Sequence, residues 1–240
     1  MPRRSPGPAP GHRTAVAEPL ALDVLAARVA DRAMAASLAG RDDPGAGAAV
    51  RVGVDAAVPA DGELVADAVA EALAAQGAGV LRVSARDFLR PRSVRLAAGP
   101  ADADVGYTGW TDHLGLRREV LDPLGPGGAG TWLPTLWDER ADRATRAPRC
   151  SAAPGSVLVL DGPFLLRWET ADALDLSVHL LVSDAAVRRR LPAADAERQT
   201  GAWARYLEET DPAPRADLVV RAEDPRRPAL VTGEVPSAWA

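Results

Sequence analysis

The chain has 240 residues, of which 47% are hydrophobic and 25% are charged, as in ordinary globular domains. Its net charge of −5 argues against a nucleic-acid binder that works through a basic surface. A single cysteine excludes a disulfide framework and a thiolate metal cluster. No apolar run approaches the roughly 20 residues of a membrane helix, and residues 1–13 lack the apolar core of a secretion signal. We therefore expect a cytoplasmic protein that contacts neither membranes nor nucleic acid.

The basic residues are all of one kind. All 28 are arginine, and the sequence contains no lysine, isoleucine or asparagine. These three amino acids share AT-rich codons, so a GC-rich genome explains their absence without any appeal to function. The chemical consequence holds whatever the cause. Mechanisms that need a lysine as a Schiff base, a phosphate contact or a general base are excluded.

The first half of the chain predicts a β-α-β unit. In chain order we expect a disordered tail over residues 1–19, a helix over 20–38, a strand over 51–55, a loop over 56–62, a helix over 63–76 and a strand over 80–84. Leu25, Val29 and Leu38 fall on the apolar face of the first helix. Because strand, helix and strand follow one another within about 34 residues, the two strands should lie parallel in one sheet.

The second half adds strands after an irregular segment. Residues 88–155 are rich in glycine and proline and predict only one short helix near 113–121, so we expect an insertion on the substrate side of the sheet. Beyond it the pattern predicts a strand over 157–162, a strand over 175–183, a helix capped by Ser183, a helix over 195–209 and a strand over 217–221. The predicted domain thus covers residues 20–228, and residues 229–240 form a C-terminal tail.

The first junction between a strand and a helix is the place to look for a bound ligand in such a sheet. Residues 56–63 have the position and length of a phosphate loop, G-x-x-x-x-G-K-[ST]. Ala56 and Asp61 replace the glycines, Gly62 replaces the lysine and Glu63 replaces the hydroxyl residue. We expect Asp61 to cap the helix and Glu63 to lie in its first turn, where they occupy the positive helix end that a polyphosphate needs. An ordinary capped helix is the simpler interpretation.

Longer stretches resemble the uridine kinase-like family of P-loop kinases, in the phosphoribulokinase/uridine kinase group, over residues 20–228. They are RVGVD at 51–55, DFLRPR at 87–92, LRREVLDPLGPGG at 116–128, VLVLDGPFLLR at 157–167 and RYLEETDPAPRADLVV at 205–220. The resemblance implies a P-loop NTPase-like α/β fold, with a parallel sheet flanked by helices, a substrate-side insertion and a helical lid. It also implies a homo-oligomer that transfers a phosphoryl group from Mg-ATP to the 5′-hydroxyl of a nucleoside.

The same resemblance assigns roles to particular residues. Asp161 takes the Walker B position, where a carboxylate would hold magnesium. Tyr107 and Asp112 fall where the family contacts the nucleoside. Arg188 and Arg189 fall on the lid, where arginines neutralise the transferring phosphate. Each has a structural alternative: a strand-end carboxylate, two loop residues, or a solvated helix face.

The departures from the family pattern concern the chemistry itself. When Ser84 is kept in register, the aspartate that accepts the substrate proton aligns with Arg86, which cannot act as a base at neutral pH. The neighbouring Asp87 takes that catalytic role only if the loop shifts. We therefore favour a catalytically impaired pseudokinase that acts as a small-molecule binding or regulatory module. Two alternatives stay open: an atypical nucleoside kinase in which arginine replaces the lysine, and a pocket that binds a nucleoside without phosphate.

Overall fold

The computed structural model describes residues 15–40, 47–233 and 235. Within these residues the chain forms eleven strands: β1 (Val16–Pro19), β2 (Ala49–Ala56), β3 (Val80–Ser84), β4 (Thr131–Trp132), β5 (Trp137–Asp138), β6 (Arg143–Ala144), β7 (Cys150–Ser151), β8 (Ser156–Gly162), β9 (Leu176–Leu181), β10 (Leu218–Arg221) and β11 (Ala229–Thr232). The α-helices of the described chain are α1 (Leu22–Gly40), α2 (Pro59–Ala75), α3 (Arg92–Arg95), α4 (Ala103–Thr108), α5 (His113–Leu116), α6 (Asp122–Leu124), α7 (Asp184–Arg190) and α8 (Ala193–Thr210).

Seven of these strands form one sheet in the order β1-β11-β10-β9-β2-β8-β3. The neighbours from β10 to β3 are parallel, whereas β11 is antiparallel to both β10 and β1. Strand β2 lies between β9 and β8 and is almost fully buried, as an inner strand of a parallel sheet should be. The mostly parallel sheet flanked by helices confirms the predicted fold class.

Layers cover both faces of the sheet. Val157 and Val159 of β8 pack with α1 and α2, whereas Leu158 and Leu160 pack with the insertion, around Phe88. This alternation follows from the two-residue period of a strand. The insertion adds only the two-stranded sheets β4–β7 and β5–β6, so it stays outside the main sheet, as predicted. No helix of the described chain is long and apolar enough to cross a membrane.

The main sheet includes two strands that lie outside the predicted domain of residues 20–228. Strands β1 and β11 lie in the segments that we expected to be tails, and they pair with Val16 opposite Thr232 and Pro19 opposite Ala229. Each strand is only four residues long, and the pairing joins opposite ends of the sequence, so no local pattern predicts it. Residues 1–14, 234 and 236–240 of the predicted tails lie outside the described residues.

Two helix predictions also need correction. In α1 the side chain of Leu38 is 54% exposed, and Ser37 takes the buried position instead. Helix α2 begins at Pro59 rather than at residue 63. Proline favours the first position of a helix, because its missing N–H would have no partner there and its fixed φ suits the helix. This early start changes the place where a phosphate would bind.

Candidate functional site

The connection between β2 and α2 is too short to wrap around a phosphate. Strand β2 continues to Ala56, and only Ala57 and Val58 separate it from α2. None of residues 56–62 has a positive φ. Ala57 and Val58 are buried in an apolar cluster that includes Val187 of α7 and Trp203 of α8. The helical lid, α7 and α8, is therefore packed directly onto this connection.

Two of the backbone donors at the start of α2 are already used, and a third position has none. Pro59 has no N–H, and the amides of Asp61 and Gly62 donate to the carbonyl of Val58, at 3.0 and 3.2 Å. The prediction that Asp61 caps the helix was wrong: Val58 holds the capping position, without a side-chain bond, and Asp61 is the third helical residue. Glu63 is exposed and lies beyond the first turn.

Asp61 is neutralised by an arginine of the lid. The guanidinium of Arg190, the last residue of α7, forms a close ion pair with the Asp61 carboxylate. It also donates to the carbonyls of Ala222 and Glu223, after β10. Burial raises the pKa of Asp61, and the charge of Arg190 opposes that shift. Arg190 thus ties the lid to the start of α2 at the place where a phosphate loop would hold its ligand.

The two lid arginines singled out from the sequence lie elsewhere. Arg188 is exposed, 3.6 Å from Asp184 in an ion pair one turn apart, and it donates to the Thr200 hydroxyl at 3.4 Å. Arg189 is exposed as well. The member of the arginine triplet that reaches the start of α2 is Arg190, which the resemblance did not distinguish from its neighbours.

Asp161, the residue at the magnesium position, also has internal partners. Its carboxylate is 1% exposed, lies 2.5 Å from the Arg82 guanidinium and accepts a bond of 3.2 Å from the Ser84 hydroxyl. Arg82 is shared with Asp67 of α2, at 2.8 Å. Burial raises the pKa of Asp161, and Arg82 and Ser84 oppose that shift. A side chain on Gly62 would start 3.6 Å from the Asp161 Cβ, so both ion pairs flank the same turn of α2.

This arrangement does not fit Mg-ATP. A polyphosphate would meet the Asp61 carboxylate in place of free amides and a lysine. A magnesium ion would have to displace Arg82 from Asp161. The described residues also contain no group of three or more histidine, cysteine, aspartate or glutamate side chains that could hold a metal ion.

Arg86 and Asp87 lie in the turn that directly follows β3. Arg86 pairs with Glu139 at 2.9 Å. Asp87 is half-buried, and burial raises the pKa of its carboxyl group. Both residues line a cavity of about 380 Å³, together with Thr135 and Trp137 of the insertion. Asp87 is thus a carboxylate with access to a cavity, as the loop-shift hypothesis requires.

Tyr107 and Asp112 both have structural partners. The Tyr107 ring is buried, with the Arg167 guanidinium 4.2 Å from its centroid and the Phe164 ring at 5.2 Å. Asp112 caps α5 by accepting a bond of 3.0 Å from the Gly115 amide. The structure places both residues in the insertion side of the molecule, where they hold the local fold.

A buried polar network centred on Asp55 was missed by sequence reasoning. Asp55, the penultimate residue of β2, accepts bonds from the Leu165 amide at 3.0 Å and the Tyr206 hydroxyl at 2.8 Å, and its carboxylate lies 2.7 Å from Nδ1 of His179. Trp203 stacks on His179 at 5.7 Å. The network joins β2, β9, α8 and the turn after β8. Its only signal in the sequence is a polar residue inside each of two apolar strands.

No family model and no curated protein sequence matches the chain. Solved structures do resemble it. A possible uridine kinase from Bacillus stearothermophilus superposes with a TM-score of 0.59 at 21% identity, over 80% of this chain and 98% of that one. D-glycerate 3-kinase from Cryptococcus neoformans gives 0.54 at 14% identity, over 80% and 89%. The chain therefore has the fold of the P-loop kinases, as its resemblance to the uridine kinase-like family predicts.

Proposed function

We propose that this protein is a pseudokinase: a binding or regulatory module that keeps the kinase scaffold and lid but does not transfer phosphate from Mg-ATP. The observation that carries the proposal is the Asp61–Arg190 ion pair at the start of α2. It supplies, from within the protein, the negative charge that this helix end would otherwise attract from a ligand.

The electrostatic cost of nucleotide binding follows from that pair. Two like charges about 4 Å apart repel by roughly 1 kcal/mol in water and about 4 kcal/mol at an effective dielectric constant of 20. A triphosphate that takes Arg190 away from Asp61 then meets this repulsion from the unpaired carboxylate, with no lysine to compensate. Positioning and charge stabilisation are nearly all that a kinase contributes to phosphoryl transfer. Losing them at both the phosphate and the metal position removes the basis of the reaction.

A second candidate is an atypical nucleoside kinase, and the cavity beside Asp87 is the observation that favours it. In that function Arg190 would leave Asp61 and take the part of the missing lysine, while Asp87 would accept the proton of the substrate hydroxyl. The step requires both ion pairs of the site to open. The pseudokinase requires no rearrangement, which is why we prefer it.

Calorimetric titration of the purified chain tests the two functions. We expect no binding of Mg-ATP, and the same cell then receives uridine to test for a ligand without phosphate. Binding of Mg-ATP in the micromolar range would overturn the proposal and make a kinase assay with uridine the next measurement. Mg-ADP serves as the matched probe, since it carries the same base with one phosphate fewer.

A variant with phosphate-loop residues restored tests whether residues 61–63 prevent the binding of Mg-ATP. The triple variant Asp61→Gly, Gly62→Lys, Glu63→Thr removes both carboxylates and supplies the lysine and the hydroxyl group. Gain of Mg-ATP binding by this variant, with none in the wild type, supports the view that the chain blocks its own phosphate site. Arg190→Gln alone is the control, because it breaks the ion pair without restoring the lysine. The atypical kinase needs Arg190 at the phosphate, so Mg-ATP binding that is present in the wild type and lost in this single variant would favour the atypical kinase.

A further inference from the structure

A group of polar side chains on the insertion side contains buried atoms that lack internal hydrogen-bond partners. We call it the His113 cluster; its members are Arg90, His113, Arg167 and Glu169. His113, Arg167 and Glu169 are each less than a tenth exposed. Within the described residues, five buried atoms of the cluster have no hydrogen-bond partner: Nε of Arg90, both ring nitrogens of His113, Nε of Arg167 and Oε2 of Glu169. Buried polar atoms in native proteins are nearly always satisfied by the protein, by ordered water or by a ligand, so these five atoms mark a place where a polar group from outside the chain can bind.

Local structure brings the four side chains into one region. The backbone around Leu89 forms an antiparallel bridge with Thr111, which sets Arg90 beside Asp112 and the start of α5, where His113 is the first residue. Arg167 follows β8 and donates to the carbonyl of Tyr107, on the same insertion. Its guanidinium also pairs with Glu169 at 2.6 Å.

The unpartnered atoms define the chemistry of the missing group. Nε of each arginine can only donate, a neutral imidazole donates once and accepts once, and Oε2 of Glu169 accepts. A ligand that satisfies all five atoms offers acceptors for three N–H groups and donors for two acceptors, of which a single hydroxyl group supplies one. The charges of Arg167 and Arg90, added to burial, lower the pKa of His113 to about 3, so the imidazole is neutral and lies in a positive field. A positive field with more donors than acceptors favours an anion.

The cluster lies just beneath the surface. Trp168, between Arg167 and Glu169, is 73% exposed, and Leu114, next to His113, is 49% exposed. The Arg90 side chain is itself 39% exposed, so part of the cluster reaches the surface.

We propose that the His113 cluster is a binding site for the oxyanion of a small hydroxylated molecule, a hydroxy acid or a phosphate. The oxyanion accepts from Arg90, Arg167 and His113, and a hydroxyl group of the ligand donates to Glu169. This inference deepens the proposed function, because it names a class of ligand for the binding module. It rests on the proposed function in one respect: the ligand binds at the His113 cluster and not at the start of α2.

Titrations followed by nuclear magnetic resonance test the site. The full chain contains three histidines, so the ring signals of His113 can be followed individually. The probes are sodium glycolate, sodium acetate, inorganic phosphate and ethylene glycol, against sodium chloride at equal ionic strength. We expect saturable shifts of the His113 signals with glycolate, with a dissociation constant on the order of a millimolar for so small a ligand, and no response to ethylene glycol.

The different probes distinguish the two ligand classes, a hydroxy acid and a phosphate, that supply an oxyanion. Acetate lacks the hydroxyl group, and we expect it to bind about tenfold more weakly than glycolate, the effect of one unmade hydrogen bond to a charged group. Tighter binding of phosphate than of glycolate would assign the ligand to the phosphate class. The absence of any saturable response, or a response equal to that of chloride, would overturn the proposal and leave the five atoms to ordered water.

Two variants distinguish binding from a merely structural role. Glu169→Gln keeps one oxygen for Arg167 but places an amide NH2, which only donates, where Oε2 accepts from the ligand hydroxyl. The roughly tenfold preference for glycolate over acetate should therefore disappear in this variant, and an unchanged preference would contradict the proposal. Arg205→Gln is the matched control, since Arg205 also lies over the Tyr107 ring, at 4.9 Å, but pairs with Asp104 and Glu209 outside the cluster. These outcomes do not depend on Mg-ATP binding, so either proposal can fail without the other.

Discussion

At the start of α2 the buried carboxylates of Asp61 and Asp161 each pair with an arginine, whereas in the His113 cluster five buried polar atoms have no hydrogen-bond partner. Asp61 is held by Arg190, and Asp161 is held by Arg82. The two regions belong to one fold, and both occupy places where the resemblance expects a ligand. The difference lies in which atoms the chain satisfies by itself.

The two proposals together describe a scaffold that changes its ligand without changing its fold. When a carboxylate and a guanidinium of the protein pair with each other, the guanidinium no longer attracts a phosphate and needs no other partner. Unpartnered buried donors do the reverse, because they cost free energy until something binds them. We therefore expect the start of α2 to be stable and closed, and the His113 cluster to respond to small ligands.

The largest effect on the free energy of unfolding should come from the buried polar network centred on Asp55. Asp55→Ala removes the acceptor of three groups and leaves the Leu165 amide and His179 buried without it, so we expect a loss of about 4 kcal/mol in the free energy of unfolding. Tyr206→Phe removes only one of these bonds and should cost about 1 kcal/mol. Urea denaturation followed by circular dichroism measures both. Equal effects of the two variants would show that Asp55 is not the centre of the network.

Breaking the ion pair at the start of α2 should have the next largest effect. Arg190→Met leaves the buried Asp61 carboxylate unpaired, with an expected loss of about 2 kcal/mol at pH 7 for a partly exposed pair. Burial already raises the pKa of Asp61, and removing Arg190 raises it further. The folded state then holds a proton that the unfolded state releases, so the deficit should shrink as the pH falls toward 4. A deficit independent of pH would contradict this account, and Asp61→Asn combined with Arg190→Met should recover part of the loss.

The His113 cluster predicts that the free energy of unfolding depends on pH with a sign opposite to that expected for Arg190→Met. The folded pKa of His113 is about 3, below the usual value of 6.5. Between these values the unfolded chain binds a proton that the folded chain does not, so His113 lowers the free energy of unfolding by about 1.4 kcal/mol per pH unit below 6.5. We expect His113→Gln to remove this contribution in urea denaturation at pH 7.0 and 5.5. Identical pH profiles of wild type and variant would show that His113 titrates normally.

The smallest effect is expected for a control substitution on the lid helix α7. Arg188→Ala breaks an exposed ion pair with Asp184 on the same helix as Arg190, and such pairs contribute between about 0 and 1 kcal/mol. We expect a change in the free energy of unfolding within about 0.5 kcal/mol and no change in the Mg-ATP titration. A larger loss than for Arg190→Met would reverse the assignment of the two arginines.

Much of this molecule was determined by local patterns in the sequence. Apolar runs such as 157–162 fixed the inner strands, because an inner parallel strand is buried on both faces and needs apolar residues throughout. Ser183 was predicted to cap the next helix and does so, accepting from the Ala186 amide at 3.3 Å. The residues at the signature positions of 56–63, which lack the lysine and the glycines, predict that an ordinary phosphate loop is absent.

Tertiary structure decided the rest. The pairing of β1 with β11, the choice of Arg190 from a triplet of arginines and the meeting of Asp55 with His179 all join residues far apart in the sequence. The His113 cluster arises in the same way, from an irregular insertion and a turn after β8. Periodicity reports which face of an element is buried, but it carries no information on which distant polar group lies opposite. Only the folded chain brings those partners together, or leaves them without one.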